Sequence, residues 1–491
     1  MIHSHGLSRF AVSRRSFMAM SGSVLPWGLS AGLPWAFANG PSPAKSYDKS
    51  GPLPVKAKSV VLFWLSGGLS HIDTFDPKPH APVEYRGPFK TVSTKSPAIQ
   101  TTEHLPRLAG MSDKWSVIRS LGHFQRGTGD HHAGYYYNLT GRHPDPTFKA
   151  LLNNRKPYPD DWPYFGSVID YDRKNKSPVP GVITLPQKPG FPEYTRPGQF
   201  AGILGAIQDP LYLYGTREKP LEFTAPAVTL HGSLTPDRLG GRKSLVGAMD
   251  GLRRSLDSAG GRSPEAGTGF TPAMVDKAYR FLEPTAFAKA MRLDQESASL
   301  REKYGNSING TSLLLARRLV EAGVGVVSVF WMEEPELDKL CKSGGGWDTH
   351  GNNFNCLKDR LLPEFDRCFS AFLGDLSERG LLDSTLVLVT SEMGRQPKVG
   401  DPRSGGASGA GRDHWTHCMS AVLAGGGIQG GRVVGASDKT GAYPGDRPIA
   451  PEDIVKTIYH CAGIQDPHFQ GKDDRPISLL PYGEVIPELL V

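Results

Sequence analysis

The sequence predicts an α/β fold in which a doubly wound, mostly parallel sheet is covered by helices on both faces. Short apolar, β-branched runs bounded by loop residues indicate buried strands. Segments with apolar residues at helical spacing alternate with these runs, as expected of βαβ units. The 58 glycines and 41 prolines among the 491 residues predict many irregular connections between the elements.

Five runs are predicted to be strands of this sheet. The first, SVVLFWL at 59–65, ends abruptly in Ser-Gly-Gly, which is typical of a central parallel strand that enters a loop. The other four predicted strands are 115–119, 324–331, 384–390 and 419–423. Predicted helices with apolar residues at helical spacing are 133–139, 312–322 and 361–378.

We divide the chain into a signal peptide at 1–38, a linker at 39–57 and one large domain at 58–485. Inside that domain, the segment from about 150 to 309 changes character and is predicted to form an insertion or cap. Residues 150–235 are rich in proline and irregular, whereas 240–305 indicate two or three surface helices, one of them the charged segment 280–303.

The first 38 residues are typical of a twin-arginine signal peptide. Arg14 and Arg15 precede an uncharged run from 18 to 37, and Ala36-Phe37-Ala38 supplies a small-x-small cleavage pattern. Prolines and glycines interrupt the run, so we expect no permanent membrane span. The pattern predicts that the twin-arginine translocation machinery exports the folded protein to the periplasm or the exterior.

Charge and cysteine content exclude two other classes of protein. The formal charge of +7 becomes +4 once the three arginines of residues 1–38 are removed. No stripe of basic and aromatic residues is present, so we expect no nucleic-acid partner. The five cysteines show no paired zinc spacing, and they allow one or two disulfides but not a disulfide scaffold.

Acidic residues and histidines gather where the predicted strands end. Ligands of open α/β sheets bind outside the carboxyl ends of the strands, so these side chains are expected to meet at one rim. The candidate metal ligands, in chain order, are Asp73, Asp76, Asp348, His350, Glu392, His414 and His417. Carboxylates with imidazoles and no cysteine favour one or two divalent ions per chain, with zinc, manganese or calcium as the expected metals.

Each of these residues also has a structural interpretation. Asp73 or Asp76 could cap a turn, Asp348 and His350 could form a hydrogen-bonded loop pair, and one of His414 and His417 could be structural. Glu392 is more telling, because an unpaired carboxylate after a buried strand would be costly.

Four further residues are candidates for catalysis. Arg395 and Arg412 could hold an anionic substrate group by bidentate hydrogen bonds or could form ion pairs with acids of the rim. Thr128 and His131 lie where a helix is expected to begin, and a nucleophile, an anion cradle and a helix cap are all compatible with that segment.

The chain from about 60 to 465 resembles a large family of exported bacterial proteins classed as domain of unknown function fifteen-oh-one. The resemblance rests on phrases such as LSGGLSHIDTFDPKP, YNLTGRHP, GGWDTHGN, STLVLVTSEMGR and GRDHW. That family is grouped with the alkaline phosphatase superfamily, and some members carry a sulfatase label. The resemblance implies an alkaline phosphatase-like α/β/α sandwich with one or two metal ions.

The resemblance also assigns roles to individual positions. Asp73 or Asp76 resembles the first metal-binding aspartate of the superfamily, and Glu392 resembles the aspartate of a TSDHG-like phrase. Asp348, His350 and His414 resemble the ligands of a second metal.

Two positions depart from the superfamily pattern. Met393 stands where the superfamily often has histidine. Alignment of Leu139-Thr140-Gly141 with the end of the sulfatase signature places His131 where the formylglycine precursor should be. A conventional sulfatase mechanism is therefore not expected. Thr128 and, as the weaker candidate, Ser70 remain as hydroxyl nucleophiles, although a metal-activated water needs neither.

The leading hypothesis is an exported, metal-dependent hydrolase of anionic phosphate or sulfate esters. A non-catalytic member that serves as a binding or assembly partner of other exported proteins is the main alternative. Phosphomutase or transferase chemistry on the same fold is a third.

Overall fold

The computed structural model describes residues 53–174, 179–226, 286–341, 346–400, 411–471 and 473–491. The predicted signal peptide and much of the predicted cap lie outside the described residues. No helix in these ranges is long and apolar enough to cross a bilayer.

An eight-stranded sheet forms the centre of the domain. Its strands are β1 (Ser59–Trp64), β2 (Trp115–Leu121), β3 (Val182–Leu185), β4 (Leu211–Tyr212), β5 (Val326–Phe330), β6 (Thr385–Thr390), β7 (Met419–Ala424) and β8 (Val433–Val434). Their spatial order is β8-β2-β7-β6-β1-β5-β3-β4. Only β7 runs antiparallel to its neighbours in this sheet. The mostly parallel sheet predicted from the sequence is thus confirmed.

Helices cover both faces of the sheet because its central strands are apolar on both sides. Among the described residues, five helices have nine or more residues: α1 (His131–Thr140), α2 (Phe165–Arg173), α3 (Ile308–Glu321), α4 (Leu362–Glu378) and α5 (Pro451–Cys461). Val61 and Phe63 belong to the same buried cluster as α3 and α4. Val60 and Leu62 belong to the cluster that includes α1, α2 and α5. This alternation along β1 confirms the α/β/α sandwich.

Part of the predicted cap belongs to the sheet itself. Strands β3 and β4 lie inside 150–309, yet β3 pairs with β5 and β4 pairs with β3. The charged segment that was predicted as a helix at 280–303 contains two short helices from residue 286 onward, Ala286–Ala290 and Ala298–Tyr304. The extent of a cap stays a prediction.

Shorter elements connect these layers. The remaining short α-helices are Val83–Arg86, Pro106–Ala109, Pro146–Leu151, Pro335–Cys341 and Asn353–Cys356. Turns of 3₁₀ helix lie at Leu152–Asn154, Gly202–Leu204, Ala206–Gln208, Leu293–Gln295, Leu382–Ser384 and Pro487–Leu489, and Leu357–Leu361 is a turn of π helix. Two-stranded ribbons pair Thr91–Ser93 with Gln100–Thr102, Tyr214–Gly215 with Phe223–Thr224, Gly394–Arg395 with His414–Trp415, Ala436–Ser437 with Pro444–Asp446, and His468–Gln470 with Pro476–Ser478.

Candidate metal centre

The adjacent strands β5, β1 and β6 end at the same level. Their carboxyl ends form the rim at which the sequence predicts the candidate ligands to meet. Trp64, the last residue of β1, is in register with Thr390 of β6 and Phe330 of β5. Glu392 follows β6 directly, and the loop after β5 carries Asp348 and His350. Residues far apart in the chain are thereby delivered to one edge of the sheet.

Three histidines and one aspartate converge at this rim. His350 Nε2 and His414 Nε2 each lie 3.1 Å from Asp348 Oδ1, and these two nitrogens are 3.1 Å from each other. His131 Nε2 lies 3.4 Å from Asp348 Oδ2. His131, Asp348 and His414 offer ligand atoms within 4.8 Å of one another, and so do His350, Asp413 and His414.

In His131 and His414 the second ring nitrogen has an acceptor that orients the ring. His131 Nδ1 donates to Glu392 Oε1 at 2.8 Å, and His414 Nδ1 donates to the Gly129 carbonyl at 2.7 Å. His350 Nδ1 lies 3.7 Å from Asp413 Oδ1. Because carboxylates and carbonyls accept, these contacts place a proton on Nδ1 of His131 and of His414. The Nε2 lone pair of His414 is then available to a metal, whereas Nε2 of His131 must release the proton that it shares with Asp348 before it can bind one.

The electrostatics of the centre favour a positive charge among these groups. Burial opposes ionisation of His131, but hydrogen bonds to Asp348 and Glu392 raise its pKa to about 9. Burial also opposes the charge of Asp348, yet Arg395 and the three histidines hold its pKa well below the usual range. Burial lowers the pKa of His414 to about 4, which keeps this imidazole neutral at pH 7.

These residues fit a divalent metal ion. Tetrahedral zinc with bonds of about 2.0–2.1 Å places neighbouring ligand atoms about 3.3 Å apart. The separations of Asp348 from the three histidines and of His350 from His414, 3.1–3.4 Å, match that spacing. Since Nδ1 of His414 is bonded to Gly129, only its Nε2 can serve as a ligand, and one nitrogen cannot be shared by two ions. Asp348 and His414 therefore fit one ion together with His131 or with His350, and a site that includes all four residues is a proposal.

Glu392 connects this centre to the sheet. Its Oε2 accepts from Trp64 Nε1 at 3.1 Å, and its Oε1 accepts from the Gly67 amide at 2.8 Å. Helix α1 approaches closely because it has glycine at 134, where an added Cβ would lie 2.3 Å from the Glu392 carbonyl oxygen. That approach brings His131, at the start of α1, within hydrogen-bond distance of the Glu392 carboxylate. Glu392 thus orients the His131 ring through Nδ1, the ring nitrogen that does not face Asp348.

Arg395 and Arg412 are both buried in ion pairs with rim acids. Arg395 Nη1 donates to Asp348 Oδ1 at 2.5 Å and to the Gly67 carbonyl at 3.1 Å. Arg412 donates to both carboxylate oxygens of Asp73, at 2.8 and 3.0 Å. Both arginines are 0% exposed. Arg395 and Arg412 thus form the ion pairs with rim acids that were one of their two predicted roles. Their other predicted role, binding of an anionic substrate group, stays a prediction.

Asp73 and Asp76 lie in separate polar clusters. Asp73 Oδ2 also accepts from Ser70 Oγ at 2.6 Å and from Asn353 Nδ2 at 2.9 Å. Asp76 pairs with Lys78 at 3.0 Å and accepts from Ser437. The structure supplies these carboxylates with cations and donors, so we leave both out of the ligand set proposed below.

His417, Thr128 and Met393 have other neighbours than the metal centre. The His417 ring packs against Trp415 and Tyr443. Thr128 donates to Asp130, whose other oxygen caps α1 by accepting from the amides of residues 132 and 133. Met393 is fully buried.

Sequence reasoning missed Asp413 and the carbonyl of Gly129. Asp413 directly precedes His414, and its Oδ1 also accepts from the His414 amide at 2.7 Å. The phrase Arg412-Asp413-His414 contained a signal for this carboxylate. No sequence signal identifies a backbone carbonyl as the partner of a histidine.

A disulfide closes the loop that carries two of the proposed ligands. Cys341 and Cys356 are bonded, with their Cα atoms 6.5 Å apart, and Asp348 and His350 lie between them in sequence. The Gly351 amide also donates to the Cys341 carbonyl at 2.7 Å. The other three cysteines are buried and free. The cross-link therefore restrains the segment of Asp348 and His350.

We predict that Asp73→Asn lowers stability without removing bound metal. The substitution leaves the buried Arg412 guanidinium without its counter-charge, and breaking such a pair costs about 3–5 kcal/mol. Thermal unfolding and elemental analysis of the same preparation measure the two effects. A variant of normal stability that has lost its metal would restore Asp73 to the ligand set.

We predict that the double change Cys341→Ser and Cys356→Ser destabilises the protein by about 3 kcal/mol, the entropy associated with a loop of about 15 residues. Zinc affinity should fall as well, because the Asp348 loop gains freedom. A phosphine reductant should produce the same shifts in the wild type and none in the variant. Equal unfolding midpoints and zinc affinities in the two proteins would contradict this role.

Comparisons with known proteins give a family but no established activity. No curated protein sequence matches the chain. A phosphonate monoester hydrolase from Silicibacter pomeroyi is 12% identical, with 88% of this chain and 76% of that one covered and a TM-score of 0.37. A lipoteichoic acid synthase from Listeria monocytogenes is 9% identical, with 84% and 74% covered and a TM-score of 0.38.

A sulfatase from Pseudoalteromonas sp. is 12% identical, with 83% of this chain and 68% of that one covered and a TM-score of 0.34. Likenesses of this extent assign neither substrate nor activity. The family comparison is decisive, since one family model matches residues 57–490. The chain belongs to the family described as protein of unknown function, DUF1501.

Proposed function

We propose that this protein is a metal-dependent hydrolase of phosphate or sulfate esters. The observation that carries the proposal is the convergence of His131, Asp348, His350 and His414 at the carboxyl end of the sheet. A buried carboxylate with three imidazoles around it, two of them held by further acceptors, is costly to assemble for structure alone.

A divalent ion at this position would act as a Lewis acid and would activate water for attack at a tetrahedral centre. The protein's own groups hold the ligands in place. Arg395 fixes Asp348, Glu392 fixes His131 and the Gly129 carbonyl fixes His414. This support favours a rigid site over one that forms only when substrate binds.

Water is the nucleophile that this proposal assigns. The sequence resemblance aligns His131 with the formylglycine position of sulfatases, and the His131 ring lies between Asp348 and Glu392. The Thr128 hydroxyl donates to Asp130, and the Ser70 hydroxyl donates to Asp73, so both face structural carboxylates. None of the three side chains is proposed to form a covalent intermediate.

The first test compares two histidines of the same segment. Loss of a group that only hydrogen-bonds to a metal ligand typically costs about 10–100-fold in metal affinity. His414→Ala removes a ligand itself and should therefore weaken zinc binding by more than about 100-fold. Esterase activity toward p-nitrophenyl phosphate and p-nitrophenyl sulfate should be lost in parallel. His417→Ala is the matched control and should retain both, because His417 packs against aromatic rings. Calorimetry and elemental analysis measure the metal.

Unchanged zinc affinity in His414→Ala would refute the proposed ligand set. A zinc-loaded wild type that hydrolyses no phosphate, sulfate or phosphonate ester would refute the hydrolase and favour the non-catalytic binding role.

We also propose export by the twin-arginine pathway, supported by the Arg14-Arg15 pair and the uncharged run that follows. Changing Arg14 and Arg15 to lysine should leave the full-length precursor in the cytoplasm. Arg9→Lys keeps the same charge and should be exported as the wild type is. Fractionation and mass measurement of the amino terminus would show the outcome, and normal export of the double variant would contradict the proposal.

A further inference from the structure

The loop 186–200 brings a further cationic side chain to the rim. Leu185, the last residue of β3, is in register with Val329 of β5, so this loop leaves the sheet at the edge that holds the metal centre. Gly198 packs it against α1, since an added Cβ there would lie 2.7 Å from Tyr136 Cα. The loop is thereby fixed beside the helix that begins with His131.

Arg196 lies on this loop with its guanidinium near an aromatic face. Its Cζ is 5.4 Å from the ring centroid of Tyr135, one helical turn after His131. The Arg196 backbone donates to the Pro189 carbonyl at 3.1 Å and accepts from Gln199 at 2.7 Å. Within the described part of the chain, its side chain makes no hydrogen bond or ion pair, and it is only half-buried.

Arg395 and Arg412, which also lie at the rim, differ from Arg196 in their burial and in their hydrogen bonds. Arg395 and Arg412 are fully buried, and each donates to an aspartate and to backbone carbonyls. Their donors are used to hold the rim together. A guanidinium that is reachable from solvent and retains its donors is therefore better placed to receive an anion.

We propose that Arg196 binds the anionic oxygens of the substrate next to the metal centre. This inference rests on the proposed ester hydrolase and names the residue that would recognise its phosphate or sulfate group. A planar guanidinium can donate two parallel hydrogen bonds to such a group, and its cation–π contact with Tyr135 keeps it beside α1. The substrate anion would then lie between Arg196 and the ligands His131 and Asp348.

The test measures binding of inorganic phosphate to zinc-loaded protein by calorimetry. Arg196→Ala should weaken binding by about 10–100-fold with unchanged zinc content, and Arg196→Lys should recover part of the loss. Arg432→Ala is the matched control. Arg432 is exposed and directly precedes β8 at the opposite edge of the sheet, so its removal should leave phosphate affinity unchanged.

Phenylglyoxal labelling of the wild type gives a second measurement that does not depend on a variant folding. Arg196 should be modified, Arg395 and Arg412 should not, and phosphate should protect Arg196 when zinc is bound. Phosphate affinity within twofold of wild type in Arg196→Ala, or labelling that phosphate does not reduce, would overturn the role of Arg196 and leave the hydrolase intact. Zinc-loaded wild type that binds no phosphate would overturn both proposals.

Discussion

The Asp348 carboxylate is the interaction on which the rim depends. Its Oδ1 accepts a hydrogen bond from Arg395 Nη1 at 2.5 Å, and the Nε2 atoms of three histidines lie within 3.4 Å of its oxygens. Only 7% of Asp348 is exposed. A carboxylate buried to this extent is tolerated only when cations and donors surround it. Arg395 also binds the loops after β1 and before β7, so one charge pair joins three segments of the rim.

Most of the fold could be predicted from the sequence because its strands are apolar on both faces and its helices have a regular apolar stripe. The predicted strand 59–65 is Ser59–Trp64, and the predicted helix 361–378 is Leu362–Glu378. Strands β3 and β4 were missed since they contain four and two residues within a proline-rich stretch. Such short runs have too little periodicity to be recognised.

The candidate site could be predicted less completely. That Asp348, His350, Glu392 and His414 would meet follows from their positions after or before strands of one sheet. What the sequence could not supply is which buried acid has histidines around it, because each of the two acids pairs with a buried arginine. Only the fold shows that Arg412 occupies both oxygens of Asp73, whereas the Nε2 atoms of three histidines lie around Asp348. The free side chain of Arg196 was missed because its loop lies in the stretch predicted as a cap.

Anomalous diffraction at the zinc edge would show whether one metal ion lies among His131, Asp348, His350 and His414. The crystals would be of protein purified without chelators and loaded with zinc. We expect one peak about 2.0–2.1 Å from the three Nε2 atoms and bonded to the Asp348 carboxylate. A peak at Asp73 or Asp76, or none at the four residues, would contradict it.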